Sequence, residues 1–326
     1  MNVFIITEGN AQTGYGHLTR CLALYQGFEE RRITPVFIAS CDQNGEKVLS
    51  ELSLYNYDWK ANPDRLIEQI SGADIAIIDS YLAGLPLFMN IDDNVKQSVY
   101  LDDTLRIAYP PGIIINGSVG AEKLPYETSK KHRLLLGPTY IPLRKAFWDV
   151  PARIISNKIS NVLISLGGQD PMGISERILE VMLTHFKGLT FHLIIGFRDL
   201  FTLKNKYSQN MKVKLYQSLD AFQMRDLMLS TDLVIAGAGQ TINECIRVQA
   251  RIIPIVVAAN QINNIKGLLD SNMVNVALYP DDPNFMTQIV SRLNKYLNND
   301  SESEINERID GQGVRNIITS ILSDGS

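Results

Sequence analysis

The chain has 326 residues, 45% hydrophobic and 20% charged, with the mean hydropathy of a globular protein, −0.02. Its 31 basic and 35 acidic residues leave a net charge of −4, so no global field favours nucleic acid or an anionic membrane. No run approaches the roughly 18 apolar residues of a membrane span, and the first residues lack the cationic start and apolar core of a signal peptide.

The first half alternates short β-branched runs with helical patterns. Strands are expected at 3–7, 35–39, 74–79, 98–102, 113–116 and 133–137, with amphipathic stretches at 18–31 and 64–71 between them. The second half repeats the rhythm, with strands expected at 161–166, 190–195, 213–216, 233–236, 252–257 and 274–278. Helical patterns intervene at 173–186, 221–229, 241–247, 262–269 and 284–297. Strands that are apolar throughout and alternate with helices predict parallel sheets covered on both faces. The expectation is therefore an α/β protein of two doubly wound, Rossmann-like domains facing a cleft. The domains are expected at 1–148 and 157–326, divided within a proline-bearing, polar stretch around 142–158. A last amphipathic helix, expected at 302–321 although Gly311 and Gly313 interrupt it, is a candidate to cross back onto the first domain.

The most informative segment is Gly14-Tyr15-Gly16-His17, which leaves the first strand and opens a helix that also carries Arg20 and Cys21. A histidine there lies at the carboxyl end of a strand and at the positive end of a helix dipole, where α/β proteins place ligands. Alone, the segment reads equally as a glycine turn with a surface histidine. On the same expected edge, Ile78-Asp79-Ser80-Tyr81 and Leu101-Asp102-Asp103 end their strands. Asp79 and Asp102 are as compatible with holding helix termini as with touching substrate. Arg144 reads equally as a cleft ligand and as an exposed hinge residue.

In the second half, Ser165-Leu166-Gly167-Gly168-Gln169-Asp170-Pro171 follows a strand, with Asp170 placed to cap a helix and Pro171 to open it. The segment is neither the dinucleotide fingerprint nor a Walker A loop, so nicotinamide cofactors and ATP are not favoured. Ala236-Gly237-Ala238-Gly239-Gln240-Thr241 leaves the next strand through a glycine turn into a helix whose amides, with the Thr241 hydroxyl, suit a diphosphate. Glu244, expected in the first helical turn, is a candidate for ribose hydroxyls, or serves only the helix N-terminus. Asn260-Gln261 ends a further strand with uncharged donors and acceptors suited to sugar hydroxyls and N-acetyl groups. Three cysteines, Cys21, Cys41 and Cys245, and four scattered histidines show no metal-ligand spacing. The odd cysteine count suits a reducing cytoplasm. Neither metal nor cofactor is expected.

Taken in order, these segments resemble the UDP-sugar hydrolases of pseudaminic acid biosynthesis, which act on UDP-2,4-diacetamido-2,4,6-trideoxy-β-L-altropyranose. That family is related to the N-acetylglucosaminyltransferases of peptidoglycan assembly and shares their two-domain GT-B fold. The resemblance covers residues 1 to about 275. It implies that His17 is the base that activates water, and that Gly14, Gly16, Arg20, Tyr81, Asn260 and Gln261 bind the sugar side of the substrate. It implies that Gly168, Gly237, Gly239, Gln240, Thr241 and Glu244 bind the nucleotide. It further implies a metal-independent monomer whose partner is a small-molecule UDP-sugar. Ala238 and Gln240 depart from the serine or glycine common in related loops, which bears on the phosphate contacts.

The chemistry agrees with the residues independently. UDP is a good leaving group whose charge helix amides can stabilise, so what remains is a base for water, and histidine, with an ordinary pKa near 6.5, suits that work. The alternatives are a GT-B glycosyltransferase using a UDP-N-acetylhexosamine donor, a hydrolysing 2-epimerase, whose carboxylate-rich pattern is not evident, and a non-catalytic sugar-nucleotide-binding protein.

Overall fold

Val, Ile and Phe fill the strands so densely that both faces of each sheet must be covered, and the chain meets that demand twice. In the computed structural model the described residues are 1–126, 129, 131–154, 156, 158–167, 170, 173–196, 200–298 and 309–323. The chain folds as two compact units, unit 1 of Met1–Lys145 with Asp310–Ser326, and unit 2 of Ala146–Ile309. The division falls at 145/146, within the 142–158 stretch, and the last residues belong with the first unit.

Unit 1 holds β1 (Val3–Gly9), α1 (Gly16–Glu30), β2 (Val36–Cys41), α2 (Gln43–Val48), β3 (Leu54–Asn56), α3 (Pro63–Ile70), β4 (Ile75–Asp79), α4 (Leu85–Asn94), β5 (Ser98–Leu101), β6 (Gly112–Asn116) and β7 (His132–Leu136). The strands form a sheet of order β3-β2-β1-β4-β5-β6-β7, parallel at every pairing. On one face Ile6, Ile38 and Ile78 pack with Leu66 and Ile70 of α3 and Phe88 and Ile91 of α4. On the other, α1 lies against β1 and against a helix from the far end of the chain, Gly313–Ser323.

Unit 2 holds β8 (Asn161–Ser165), α5 (Ile174–His185), β9 (Thr190–Ile194), α6 (Leu200–Tyr207), β10 (Val213–Tyr216), α7 (Ala221–Ser230), β11 (Leu233–Gly237), α8 (Gln240–Arg247), β12 (Arg251–Ile255), α9 (Ile262–Asp270) and α10 (Phe285–Leu297); the helix 313–323 is α11. Its sheet, β10-β9-β8-β11-β12, is also parallel throughout. One face buries Val162, Ile164, Phe191 and Ile235 under Ile178 and Met182 of α5 and Ile289 and Leu293 of α10.

Three of the expected elements take a different form. The run 274–278 forms no strand beyond a single parallel bridge, Ile255 to Leu278, because the Met273 and Val274 amides both turn back to the Leu268 carbonyl at the end of α9. The last helix is described from Gly313, not from 302; residues 302–308 lie outside the described residues. Helix α5 starts at Ile174, so the helix opening expected at Pro171 falls later, and Pro171 itself lies outside the described residues.

Both sheets reverse their winding once. In unit 1 the strands run outward from β1 in one direction and from β4 in the other; in unit 2 the reversal lies between β8 and β11. At such a switch point the two chain crossings leave in opposite directions, and a crevice opens beyond the carboxyl ends of the two central strands.

Candidate active site

His17 lies at the switch point of unit 1. It is the second residue of α1, reached from β1 through a turn in which Gly14 takes φ +87° and the Asn10 side chain accepts from the Gln12 and Thr13 amides. Asp79 is the last residue of the neighbouring β4, level with Thr7 of β1. Its Oδ1 accepts from His17 Nδ1 at 2.5 Å, with both side chains buried. A carboxylate on Nδ1 fixes the tautomer that keeps the proton there and leaves the lone pair on Nε2.

Arg20 follows His17 by three residues, one helical turn, and turns toward the same carboxylate. Its Nε meets Asp79 Oδ2 and its Nη2 meets Oδ1, both at 2.5 Å, a bidentate pair, while Nη1 meets Asp103 Oδ2 at 2.8 Å. Asp103 Oδ1 accepts from the Tyr81 hydroxyl at 2.5 Å, and the Tyr81 ring stands edge-on to His17 with centroids 4.2 Å apart. Burial alone would raise the Asp79 carboxyl, but Arg20 and His17 beside it hold it well below the usual carboxylate range. Burial pushes the Tyr81 phenol well above its ordinary value, and Asp103 adds to that, so Tyr81 stays a neutral donor.

Two acids placed on this edge by the sequence take different parts. Asp102 accepts from the Leu105 amide and from the Tyr109 and Tyr126 hydroxyls, and so holds the loop after β5. Among the described residues Asp79 accepts from His17, Arg20 and the Cys21 thiol, and from no helix-terminal amide. Glu8, which sequence reasoning passed over, is buried at the end of β1 and accepts from Ser80 Oγ and from the Tyr81 and Leu82 amides. It fixes the loop that carries Tyr81. Gly16 is exposed at the start of α1, where no side chain caps the helix. Arg144 is half-buried at the end of unit 1.

In unit 2 the glycine turn likewise sits at the switch point. A β-carbon on Gly237 would fall 2.7 Å from the Leu166 carbonyl oxygen, so only glycine lets the end of β11 pass the end of β8 this closely. Gly239 is the N-cap of α8, with no side-chain cap, and Gln240 and Thr241 open the helix. Glu244 is the fifth residue of α8, beyond the first turn where it was expected, and it is buried. Gln261 stands beside Gly239 and accepts from the Val257 amide, which ties the strand end after β12 to the glycine turn. Asn264 Nδ2 donates to the Ala238 carbonyl. Asn260 is exposed in a 3-10 turn. Gly168 lies outside the described residues; Asp170, two residues on, accepts from the Ile174 and Ser175 amides and caps α5 from before its start. Around this turn three buried polar atoms have no hydrogen-bond partner among the described residues: Ser165 Oγ at the end of β8, Asn243 Oδ1 on α8, and Asn264 Oδ1. Buried polar atoms of this kind are normally satisfied by hydrogen bonds.

Among the described residues, no group of three or more His, Cys, Asp or Glu is arranged to hold a metal ion, and no helix is long and apolar enough to cross a membrane.

Comparison with known proteins adds the wider setting. Residues 161–321 match the model of the glycosyltransferase family 28 C-terminal domain. The chain is 27% identical over 273 residues to an uncharacterized protein of Methanocaldococcus jannaschii, a match that covers 79% of this chain and 55% of that one. It is 28% identical over 268 residues to the pseudaminic acid cytidylyltransferase and UDP-2,4-diacetamido-2,4,6-trideoxy-beta-L-altropyranose hydrolase of Helicobacter pylori, covering 80% of this chain and 46% of that one. The chain thus spans about half the length of these two relatives. Among solved structures it is similar to MurG of Acinetobacter baumannii, with a TM-score of 0.63 at 14% identity over 99% of this chain and 100% of that one. It is also similar to the UDP-GlcNAc 2-epimerase of Methanocaldococcus jannaschii, solved with UDP-GlcNAc and UDP, with a TM-score of 0.60 at 13% identity and full coverage of both chains. The fold is GT-B. Within the GT-B frame, the histidine cluster belongs to the N-terminal unit and the glycine turn to the unit that carries most of the family 28 match.

Proposed function

We propose that this protein is a UDP-sugar hydrolase that cleaves the bond between the anomeric carbon and the diphosphate oxygen, releasing UDP and a free sugar. The observation that carries the reading is the His17–Asp79 pair at the switch point of unit 1, which leaves Nε2 as the basic nitrogen. In the proposed reaction a water oxygen attacks C1 and gives its proton to His17 Nε2. The C1–O bond breaks with its electron pair going to UDP, and the anomeric configuration inverts. The amides that open α8 after Gly239, with the Thr241 hydroxyl, stabilise the charge on the departing diphosphate, and Glu244 is assigned to the ribose. Tyr81 and Asn260 are assigned to the sugar. The kinship with the Helicobacter pylori protein supports a diacetamido-trideoxyhexose as that sugar and pseudaminic acid biosynthesis as the setting. The reaction needs no metal, and the protein acts as a cytoplasmic monomer.

Hydrolysis in oxygen-18 water tests the bond cleaved. Label is expected in the anomeric hydroxyl of the free sugar; label in the phosphate of UDP means attack at phosphorus and overturns the proposal. Activity is expected to persist in a chelator. The family 28 match favours one second reading, transfer of an N-acetylhexosamine from UDP to an acceptor hydroxyl that His17 deprotonates. Parallel assays with and without acceptor sugars or lipids separate the two: UDP release that requires an acceptor selects transfer.

A further inference from the structure

The resemblance that names Arg20 a substrate ligand does not account for where its guanidinium goes. All three nitrogens meet carboxylates, Nε and Nη2 on Asp79 and Nη1 on Asp103, with Nη2 also 3.2 Å from His17 Nδ1, and the side chain is mostly buried. A substrate anion would have to compete with two acids already in bidentate and single contact. We propose that Arg20 is a positioning residue that turns Asp79 to His17 Nδ1 and offsets its charge, so that His17 remains able to take a proton from water. The inference rests on the reading of His17 as a base.

The charges around His17 decide the direction of the effect. From α1 it faces Arg20 and Cys21, whose thiol burial and Asp79 together push well above its ordinary value and keep neutral. From β4 it faces Asp79, and from the loop after β4, the neutral Tyr81. The loop after β5 brings Asp103, which shares Arg20, and Arg106, whose Nη2 donates to the Ser80 carbonyl at 3.2 Å. The end of β1 brings Glu8, held by Ser80, Tyr81 and Leu82, with Lys60 Nζ 3.5 Å from it. In general, a lone carboxylate beside an imidazole favours the protonated ring, which cannot serve as a base. A bidentate guanidinium on that carboxylate weakens the pull. Asp103 balances Arg20 in turn, and through Tyr81 it ties the ring that stands against His17 into the same frame. His17, Asp79, Arg20, Asp103 and Tyr81 thus form one chain of contacts drawn from α1, β4 and the loops after β4 and β5.

The prediction has a sign for each variant. Arg20→Gln uncovers the Asp79 charge, so proton uptake by His17 shifts to higher pH, by about one unit or more. Asp103→Asn leaves Arg20 less balanced and shifts it to lower pH. Arg20→Lys keeps the charge and stays close to the wild type in midpoint. The readout is carbon-13 NMR titration of the imidazole Cε1 signals in the intact protein, with the His17 signal identified by its loss in His17→Gln. The pH profile of kcat/KM on a UDP-sugar is followed in parallel, and its acid limb is expected to move with the titration. An unmoved midpoint in folded Arg20→Gln, or an upward shift in Asp103→Asn, overturns the proposal. So does a raised KM with an unmoved limb, the mark of a substrate ligand. If Arg20→Gln fails to fold, the Asp103→Asn shift decides alone. Absence of any turnover by the wild type, with the NMR shifts as stated, overturns the hydrolase reading and leaves the role of Arg20 intact.

Discussion

Asp79 converts a side chain with two interchangeable nitrogens into one with assigned tasks, Nδ1 as donor to the carboxylate and Nε2 as acceptor. Asparagine at position 79 can present its amide hydrogens to Nδ1 instead and reverse the assignment. Asp79→Asn is therefore expected to lower kcat by roughly 10²–10⁴-fold while UDP affinity, measured by calorimetry, stays within about twofold of the wild type. His17→Gln is expected to fall in the same range. A parallel loss of UDP affinity in either variant would contradict the placement of nucleotide binding on the glycine turn of unit 2. The unequal legibility of these residues has a plain cause. His17 was readable because its context is local: two glycines, a strand before and a helix after. Asp79, Asp103 and Glu8 act on partners 62, 83 and 72 to 74 residues away, and an acid at a strand end has the same local signature whether it caps a helix, holds a loop or orients a base. Asp102 and Asp103 are neighbours in sequence, yet one serves a loop and the other the histidine cluster.

Helix α1 carries the histidine cluster at its first turn and a close contact with α11 near its last. A β-carbon on Gly27 would run into Val314 and lie 2.9 Å from Ile318 of α11, so the two helices meet where one has no side chain. Gly27→Val is expected to destabilise unit 1 by about 1–3 kcal/mol, seen as a lower urea midpoint, since overpacking a closed contact forces a backbone shift. Gly16, at the other end of the same helix, has open space around its missing β-carbon, and Gly16→Ala is expected to change the stability by no more than about 0.5 kcal/mol. Elements of this size divide cleanly by how their sequences reveal them. Central strands such as 75–79 announce themselves because both faces are covered and nearly every residue is apolar. Helix α2 (six residues, with a glycine) and strand β3 (three residues) are too short to show a period, and α4 was hidden behind a Gly-Leu-Pro start. The apolar run 274–278 misled in the opposite direction, its first amide being spent on closing a helix.

At the scale of the whole chain, unit 2 contains its own sensor of acid. His192 on β9 is buried against Tyr216, which it meets at 2.9 Å, and burial with Lys214 nearby pushes its pKa down to about 4. An unfolded histidine titrates near 6.5, so between those values the unfolded chain binds the extra proton and the folded one does not. The contribution of His192 to stability is thus full above about pH 6.5 and is lost as pH falls toward 4. Urea unfolding of unit 2 followed between about pH 7 and about 4.5 should show a falling midpoint, and His192→Phe should remove part of that slope; an unchanged slope would assign it to other groups.

The return of α11 to unit 1 has a consequence for how the protein is made. Its contacts with α1 span 285 residues, as between Arg315 and Glu30, and the whole of unit 2 is encoded between the two partners. At roughly 5–20 residues per second, a ribosome takes on the order of ten seconds or more to synthesise that intervening unit. For that interval the face of α1 around Gly27 waits uncovered, on a nascent chain, while the unit behind it in sequence is free to finish first. A release-stalled chain ending at Ile309 should therefore present unit 2 resistant to protease and unit 1 sensitive to it. Chaperones that bind exposed apolar helices would meet this protein at α1.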